Sequence, residues 1–342
     1  MRRAFGVELA LLTVTLGASP HMMHLKIFKT LAILAVIHPS PLFSQAPESV
    51  MVVEAYSGKV LIASNASIQR PVASLTKIAT AAVTIDWATA TNTDLGKTYI
   101  TVPDTINLVG GPNPMNLQPG EQLTLRDALY SALLGSDNLA ALSIADHVGR
   151  QISARRGNSG DPLAIFVGEM NQLSKALGMA QTHFANPHGL DRPGVKAYST
   201  AADMARLSIY AMRRNAFNFI VRQPNRQVSV TGLAGKRGFR VKNTNELVGE
   251  PGILGVKTGT TAAAGPCLSI CMDRAPLVRN KADGMKGATP RRLIVVILNN
   301  PDRFARARGL IQQGWATYDP WLDSGAPVQD RQREMLSLPT PQ

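Results

Sequence analysis

Ser74-Leu75-Thr76-Lys77 sets a hydroxyl and an amine three residues apart, which on a helix puts them on one face a turn from each other. A serine hydroxyl is a poor nucleophile and needs a base within hydrogen-bond reach. Lys77 can be that base if it is neutral, which requires burial or a second cation nearby, and Lys257 is the candidate for that cation. Two further short patterns follow in order, Ser136-Asp137-Asn138 and Lys257-Thr258-Gly259, the latter continued by Thr260. Each has a plainer reading alone: Ser74 caps a helix, the second pattern is a polar turn, the third ends a strand. Jointly, and in this order, the three describe one site built around an acylated serine.

A Ser/His/Asp hydrolase would instead use His188 as its base. No G-x-S-x-G surrounds any serine here, and Asn186-Pro187-His188-Gly189 reads as a turn in which the histidine satisfies backbone groups.

The elements that position these residues can be read in outline. Met51–Ala55 and Lys59–Ala63, separated by Tyr56-Ser57-Gly58, form a β-hairpin. A helix runs from Leu75 to about Trp87, so Ser74 sits at its N-terminus, where unpaired N–H groups and the dipole favour developing negative charge. Residues 97–121 are loop with a short strand at Tyr99–Val102. Thr124 with Asp127 opens a helix over Leu125–Leu134, and Leu139–Val148 is apolar at helical spacing, which makes Ser136-Asp137-Asn138 a connection between helices. Helices at Pro162–Leu177 and from Thr200 to Met212 follow, then strands at Val228–Val230, Phe239–Val241, Gly252–Lys257, Gly265–Met272 and Leu293–Leu298. Asp273–Arg292 is a basic excursion ending in an exposed hairpin tip, and Arg303–Tyr318 is helical. The fold class is α+β: an antiparallel sheet built from both chain ends, with an all-helical subdomain inserted.

The first 46 residues carry two apolar runs, Val7–Leu16 and Leu31–Ile37, each short of the roughly 20 residues that cross a bilayer. The second has the pattern of a signal peptide: a start at Met22 or Met23, a basic region at Lys26 and Lys29, an apolar core from Leu31, and a small-residue cleavage site at Ser44-Gln45-Ala46. The division is therefore 1–46 targeting region, 47–318 catalytic domain and 319–342 polar tail, with export to the periplasm or cell envelope. Four of the 36 basic residues and one of the 23 acidic ones precede residue 47, which leaves 32 against 22 and a net of +10. That balance suits peripheral contact with an anionic cell wall or membrane. Scattered basic residues and 5% aromatics argue against nucleic acid. Cys267 and Cys271 lie on one face of a strand, about 13 Å apart, too far for a disulfide, which needs Cα atoms within about 7 Å. They are expected as free thiols, with no metal and no cofactor.

From about residue 48 to 318 the chain resembles the D-alanyl-D-alanine carboxypeptidase family of low-molecular-mass penicillin-binding proteins, in the β-lactamase/transpeptidase-like superfamily. Beyond the three patterns, the resemblance lies in Phe166-Val167-Gly168-Glu169-Met170-Asn171, Leu177-Gly178-Met179, Thr182-His183-Phe184, Asn186-Pro187-His188-Gly189-Leu190-Asp191 and Tyr198-Ser199-Thr200-Ala201-Ala202-Asp203-Met204-Ala205. It implies an acyl-enzyme on Ser74, with the N–H groups of Ser74 and Thr260 as oxyanion donors, Lys77 and Ser136 moving protons, and Asn138 on the substrate's backbone amide. Lys257, Thr258, Gly259 and Thr260 would bind the terminal carboxylate. The implied reaction is removal of the terminal D-alanine from peptidoglycan stem peptides, with β-lactam antibiotics as covalent inhibitors at Ser74. A D,D-endopeptidase, a class A-like β-lactamase and a non-catalytic penicillin-binding sensor are the alternatives. Glu169 lies on an amphipathic helix without the E-x-x-L-N pattern that positions a deacylating water in class A enzymes, and a sensor would not need Lys77 and Lys257 together.

Overall fold

The computed structural model describes residues 47–157, 159–280 and 285–338. The predicted signal peptide therefore lies outside the described residues. The chain opens with β1 (Ser49–Glu54) and β2 (Val60–Ser64), followed by a single 3-10 turn at Ala73–Thr76 that leads into α1 (Lys77–Ala90). Next come β3 (Tyr99–Thr101), β4 (Gln122–Thr124), α2 (Leu125–Leu134), α3 (Asn138–Arg155) and α4 (Pro162–Ala176). They are followed by α5 (Ala201–Met212), α6 (Asn215–Val221), β5 (Asn225–Gly232) and β6 (Gly235–Lys242). The chain closes with β7 (Ile253–Thr261), β8 (Gly265–Asn280), β9 (Lys286–Leu298), α7 (Arg303–Asp323) and α8 (Arg331–Glu334).

Five strands form an antiparallel sheet in the order β2-β1-β9-β8-β7, so the first hairpin pairs with the last strands, with Val52 opposite Val295. The central strands are apolar at nearly every buried position because both faces are covered, with Ser269 of β8 an exception that hydrogen-bonds Ser208. Met51, Val53, Ile294, Val296, Cys267 and Cys271 face one hydrophobic cluster, which they share with α1, α2, α3 and α5. Val50, Val52, Val295, Ile297, Leu268 and Ile270 face the other, covered by Ala307, Leu310, Trp315 and Tyr318 of α7. The cysteines are free thiols, and burial pushes their pKa values up to about 11 and about 12.

Between β2 and β7 lie the expected helices, but the insertion is not all-helical: the strands foreseen near Tyr99, Val228 and Phe239 join β4 in a four-stranded sheet, β3-β4-β5-β6. The Asp273–Arg292 excursion continues the β8–β9 pairing as far as Asn280 opposite Lys286, and residues 281–284 lie outside the described residues.

The chain after residue 318 departs from the loose tail expected for 319–342. α7 continues through Pro320 to Asp323, because Trp321 and Leu322 still have core to pack on and Asp319 is paired with Arg274 at 3.0 Å. Beyond α8, Leu336 is buried, its N–H donates to Gly58 O at 2.7 Å, and Glu334 pairs with Lys59.

Candidate active site

Ser74 sits in the 3-10 turn immediately before α1, and Ala73, the residue ahead of it, has φ 49°. That left-handed conformation is unusual for a residue with a side chain, and it is held by close packing on both sides. A Cβ on Gly189 would lie 2.0 Å from Ala73 O, and one on Gly259 would lie 2.9 Å from Ser74 N. Both positions therefore need glycine: the 186–191 turn presses on the Ser74 turn from one side and β7 from the other.

Lys77 is fully buried, and its Nζ lies 3.0 Å from Ser74 Oγ. It donates to Asn138 Oδ1 at 2.6 Å and to His188 O at 2.8 Å. Burial lowers its pKa to about 7, against an opposing pull from the Asp137 carboxylate. Of the two ways of making Lys77 a base, burial is the one at work. Lys257 is lowered well below the ordinary lysine range by its own burial, then by repulsion from Lys77 and from Arg303.

Asp137 is the N-cap of α3, accepting from Leu139 N and Ala140 N at 2.9 and 3.0 Å and from Ser131 Oγ at 2.7 Å. The cap fixes Asn138 as the first residue of the helix. Asn138 then uses its amide internally, Oδ1 on Lys77 and Nδ2 donating to Gly110 O at 2.8 Å. Each amide atom keeps one further hydrogen-bonding position, but the evident task of Asn138 is to hold the lysine and tie down the Gly110-Gly111 loop. Ser136 has φ 60°, and its hydroxyl makes no hydrogen bond among the described residues, to Lys77 included.

His188 is buried and neutral, its pKa pushed down to about 3 by burial, then by Lys77 and Arg192. Its Nδ1 accepts from Leu190 N at 3.2 Å, so its proton is on Nε2, and its carbonyl is what serves Lys77. It is a structural member of the site, as its turn suggested. Glu169 is paired with Arg156 at 2.8 Å and lines a different cavity, with Trp87.

β7 is an edge strand. Thr260 stands opposite Pro266, which has no N–H and whose carbonyl accepts from Asn300 N at 2.9 Å. N–H and C=O of one residue in an antiparallel strand point to the same side, so the Thr260 N–H points away from β8, to the open edge. Lys257 Nζ donates to Thr258 O at 3.0 Å, and the Thr258 hydroxyl shares a 2.7 Å hydrogen bond with Thr244.

Two participants carry no signal in the sequence. Arg303, the first residue of α7, donates to Gly259 O at 2.8 Å and Thr260 Oγ1 at 2.9 Å. Thr244 ties β7 to the end of α2 through its N–H, which donates to Leu134 O at 3.0 Å. Lys77, Lys257 and Arg303 thus converge; Asp137, which acts on Lys77, is itself buried and capping a helix, and Glu246 acts on Arg303. The arrangement can deprotonate a serine, stabilise an oxyanion and attract an anionic group.

A family model described as D-alanyl-D-alanine carboxypeptidase matches residues 36–276. The chain is 35% identical over 227 residues to D-alanyl-D-alanine carboxypeptidase DacC of Escherichia coli, a match covering 61% of this chain and 49% of that protein. It is 31% identical over 236 residues to a D-alanyl-D-alanine endopeptidase of Pseudomonas aeruginosa, covering 68% of this chain and 69% of that one. Among solved structures, it is similar to a Streptomyces DD-transpeptidase, with TM-score 0.64, 26% identity and coverage of 78% of this chain and 96% of the other. A Listeria monocytogenes penicillin-binding protein in its cefotaxime-bound form gives TM-score 0.59 at 25% identity, with the same coverage.

Proposed function

Because the chain belongs to the D-alanyl-D-alanine carboxypeptidase family, we propose that it is a serine-type peptidase that removes the terminal D-alanine from peptidoglycan stem peptides through an acyl-enzyme on Ser74. The observation that carries this reading is Lys77, fully buried with its pKa near 7 and its amine 3.0 Å from Ser74 Oγ.

Neutral Lys77 takes the proton as Ser74 Oγ attacks the scissile carbonyl. The N–H groups of Ser74 and Thr260 receive the oxyanion, Gly259 keeping the two backbones close enough to share it. Ser136 passes the proton from Lys77 to the departing amine, and its unengaged hydroxyl suits it to that. Thr258, Thr260 and Lys257 take the terminal carboxylate, and Arg303 holds the Thr260 hydroxyl in place. A carboxylate also offsets the repulsion between Lys257 and Arg303 and favours the charged form of Lys257, which suits an anionic substrate. Water then hydrolyses the ester. A β-lactam acylates Ser74 by the same attack, and the ester persists because Glu169 is engaged elsewhere. The work is done in the cell envelope after export on residues 1–46. No helix among the described residues is long and apolar enough to cross a membrane. The endopeptidase-named relative supports a second reading, cleavage of crosslinks by the same residues.

Incubating the protein with a pentapeptide ending in D-Ala-D-Ala should release one D-alanine, read by mass. Charge-assisted hydrogen bonds contribute roughly 1.5 to 3 kcal/mol each, so a C-terminal amide should be cut a few hundredfold more slowly. Equal rates for acid and amide would overturn the carboxypeptidase reading. Crosslinked dimer consumed faster than pentapeptide would favour the endopeptidase.

A further inference from the structure

Where β7 ends, a cavity of about 410 Å³ opens, lined by Arg70, Asp191, Arg192, Lys196, Tyr198 and Ala263 among others. The chain itself fixes its place relative to Ser74. Arg70 precedes Ser74 by four residues, and Ala263 follows the last residue of β7 by two. Asp191 Oδ2 accepts from Ala263 N at 3.3 Å, bridging the 186–191 turn to the strand's end.

The cavity wall is cationic, and its cations, Arg70, Arg192 and Lys196, have no ion-pair partner among the described residues. Arg70 is anchored by Nη2 donating to Pro47 O at 2.9 Å, while its Nε is buried with no hydrogen-bond partner among the described residues. The one acid in the wall, Asp191, accepts from Ala263 N and offsets one of the three cations. A neutral sugar would leave the net positive charge of the wall unused, and an ammonium would be repelled. A carboxylate fits.

The direction of a bound peptide follows from the order of residues on β7, and this step rests on the carboxypeptidase reading. The leaving carboxylate lies at Lys257 and Thr258 and the scissile carbonyl at Ser74 and Thr260, so the acyl portion continues past Thr261 towards Ala263. An extended chain advances about 3.3 Å per residue, so Ala263, in the turn that follows Thr261, lies at most about 10 Å from Thr260. The substrate residues that arrive at the cavity are those two or three positions upstream of the scissile bond. We propose that this cavity is a subsite for a carboxylate on the acyl portion of the substrate, two or three residues before the bond that is cut.

The test uses pairs of peptides ending in D-Ala-D-Ala that differ only by glutamate against glutamine at the second or third position upstream of the scissile bond. Calorimetry on the full chain carrying Ser74→Ala, which leaves the peptides uncut, gives their dissociation constants. A carboxylate held by two or three partly exposed cations should tighten binding about fivefold to tenfold at low salt. Adding Arg192→Ala and Lys196→Ala should abolish the difference, while in the Ser74-containing protein the same two substitutions leave penicillin labelling unchanged. Equal affinities within both pairs, no measurable binding of any peptide, or a preference that survives the double substitution would overturn the subsite. Failure of penicillin to label Ser74 would strike the peptidase reading instead and leave the affinity comparison standing.

Discussion

Lys77 exposes nothing to solvent, and its hydrogen bonds run to Ser74, Asn138 and a backbone carbonyl, so burial sets its pKa near 7 while the nearest carboxylate, Asp137, pulls the other way. The sign of the pH effect follows. Below that pKa the amine is protonated and cannot accept the serine proton, and above it the base is free. The second-order rate constant for acylation by labelled penicillin should rise about tenfold per pH unit up to about pH 7 and level off beyond it. Lys77→Ala should lose about 10² to 10⁴ of that rate with its circular dichroism spectrum retained. A flat profile between pH 5.5 and 8.5 would remove Lys77 as the base. Ser74, Lys77 and Asn138 were legible because a serine and a lysine one helical turn apart declare their chemistry locally. That Asn138 spends its amide on Lys77 and Gly110 was not, because its partner Gly110 comes from a distant loop. Arg303 reaches Gly259 and Thr260 across more than forty residues of chain, and no spacing rule connects them.

At the scale of elements, the site exists because three of them crowd one turn: β7, the 186–191 turn and the start of α1. The close approach is made at Gly259, whose missing side chain lets the edge strand lie against Ser74 N, Ala73 and Val72. Gly259→Ala inserts a methyl at 2.9 Å from Ser74 N and 3.1 Å from Val72 O, both backbone atoms that cannot swing aside, so strand and turn must separate. Misplacement of reacting groups by about 1 Å can cost 10²-fold, and penicillin acylation of this variant should fall by about that factor while unfolding remains cooperative. Acylation within threefold of the unmodified protein would show that strand and turn do not share the oxyanion. The hairpin, the capped helices and the late strands were readable from alternation and from Thr124 and Thr200, whose side chains do accept from Asp127 N and Asp203 N. The second sheet was not. Three of its strands were foreseen singly, at Tyr99–Val102, Val228–Val230 and Phe239–Val241, but β4, three residues long, is too short for a period to register, and it meets β5 at Gln122 and Thr231, more than a hundred residues apart, so nothing local joins the four into one sheet.

Across the described residues as a whole, both ends of the chain close on the same sheet. The early hairpin supplies β1 and β2, α7 covers one face, and the segment after α8 fastens to the β1–β2 turn through Leu336, whose N–H donates to Gly58 O, and through Glu334 on Lys59. A composition rich in Asp, Gln, Arg and Pro hid this, because one buried leucine among polar neighbours leaves no periodic trace. In strand order the fastening is at the β2 side and the Ser74 cluster at the β7 side, the two edges of the five-stranded sheet. Deleting residues 330–342 should therefore separate stability from chemistry. Burial of a leucine side chain contributes about 1.5 to 3 kcal/mol, and each kcal/mol shifts the melting temperature of a domain this large by about 2 to 4 °C. The truncated protein should melt about 3 to 12 °C lower by calorimetry and still be acylated by penicillin within twofold of the full chain. An unchanged melting temperature would return the segment after 319 to the loose tail that its composition suggests. A large loss of acylation would mean that strain at one edge of the sheet is felt at the other, through β1, β9 and β8, whose close-packed cores leave little room to absorb it.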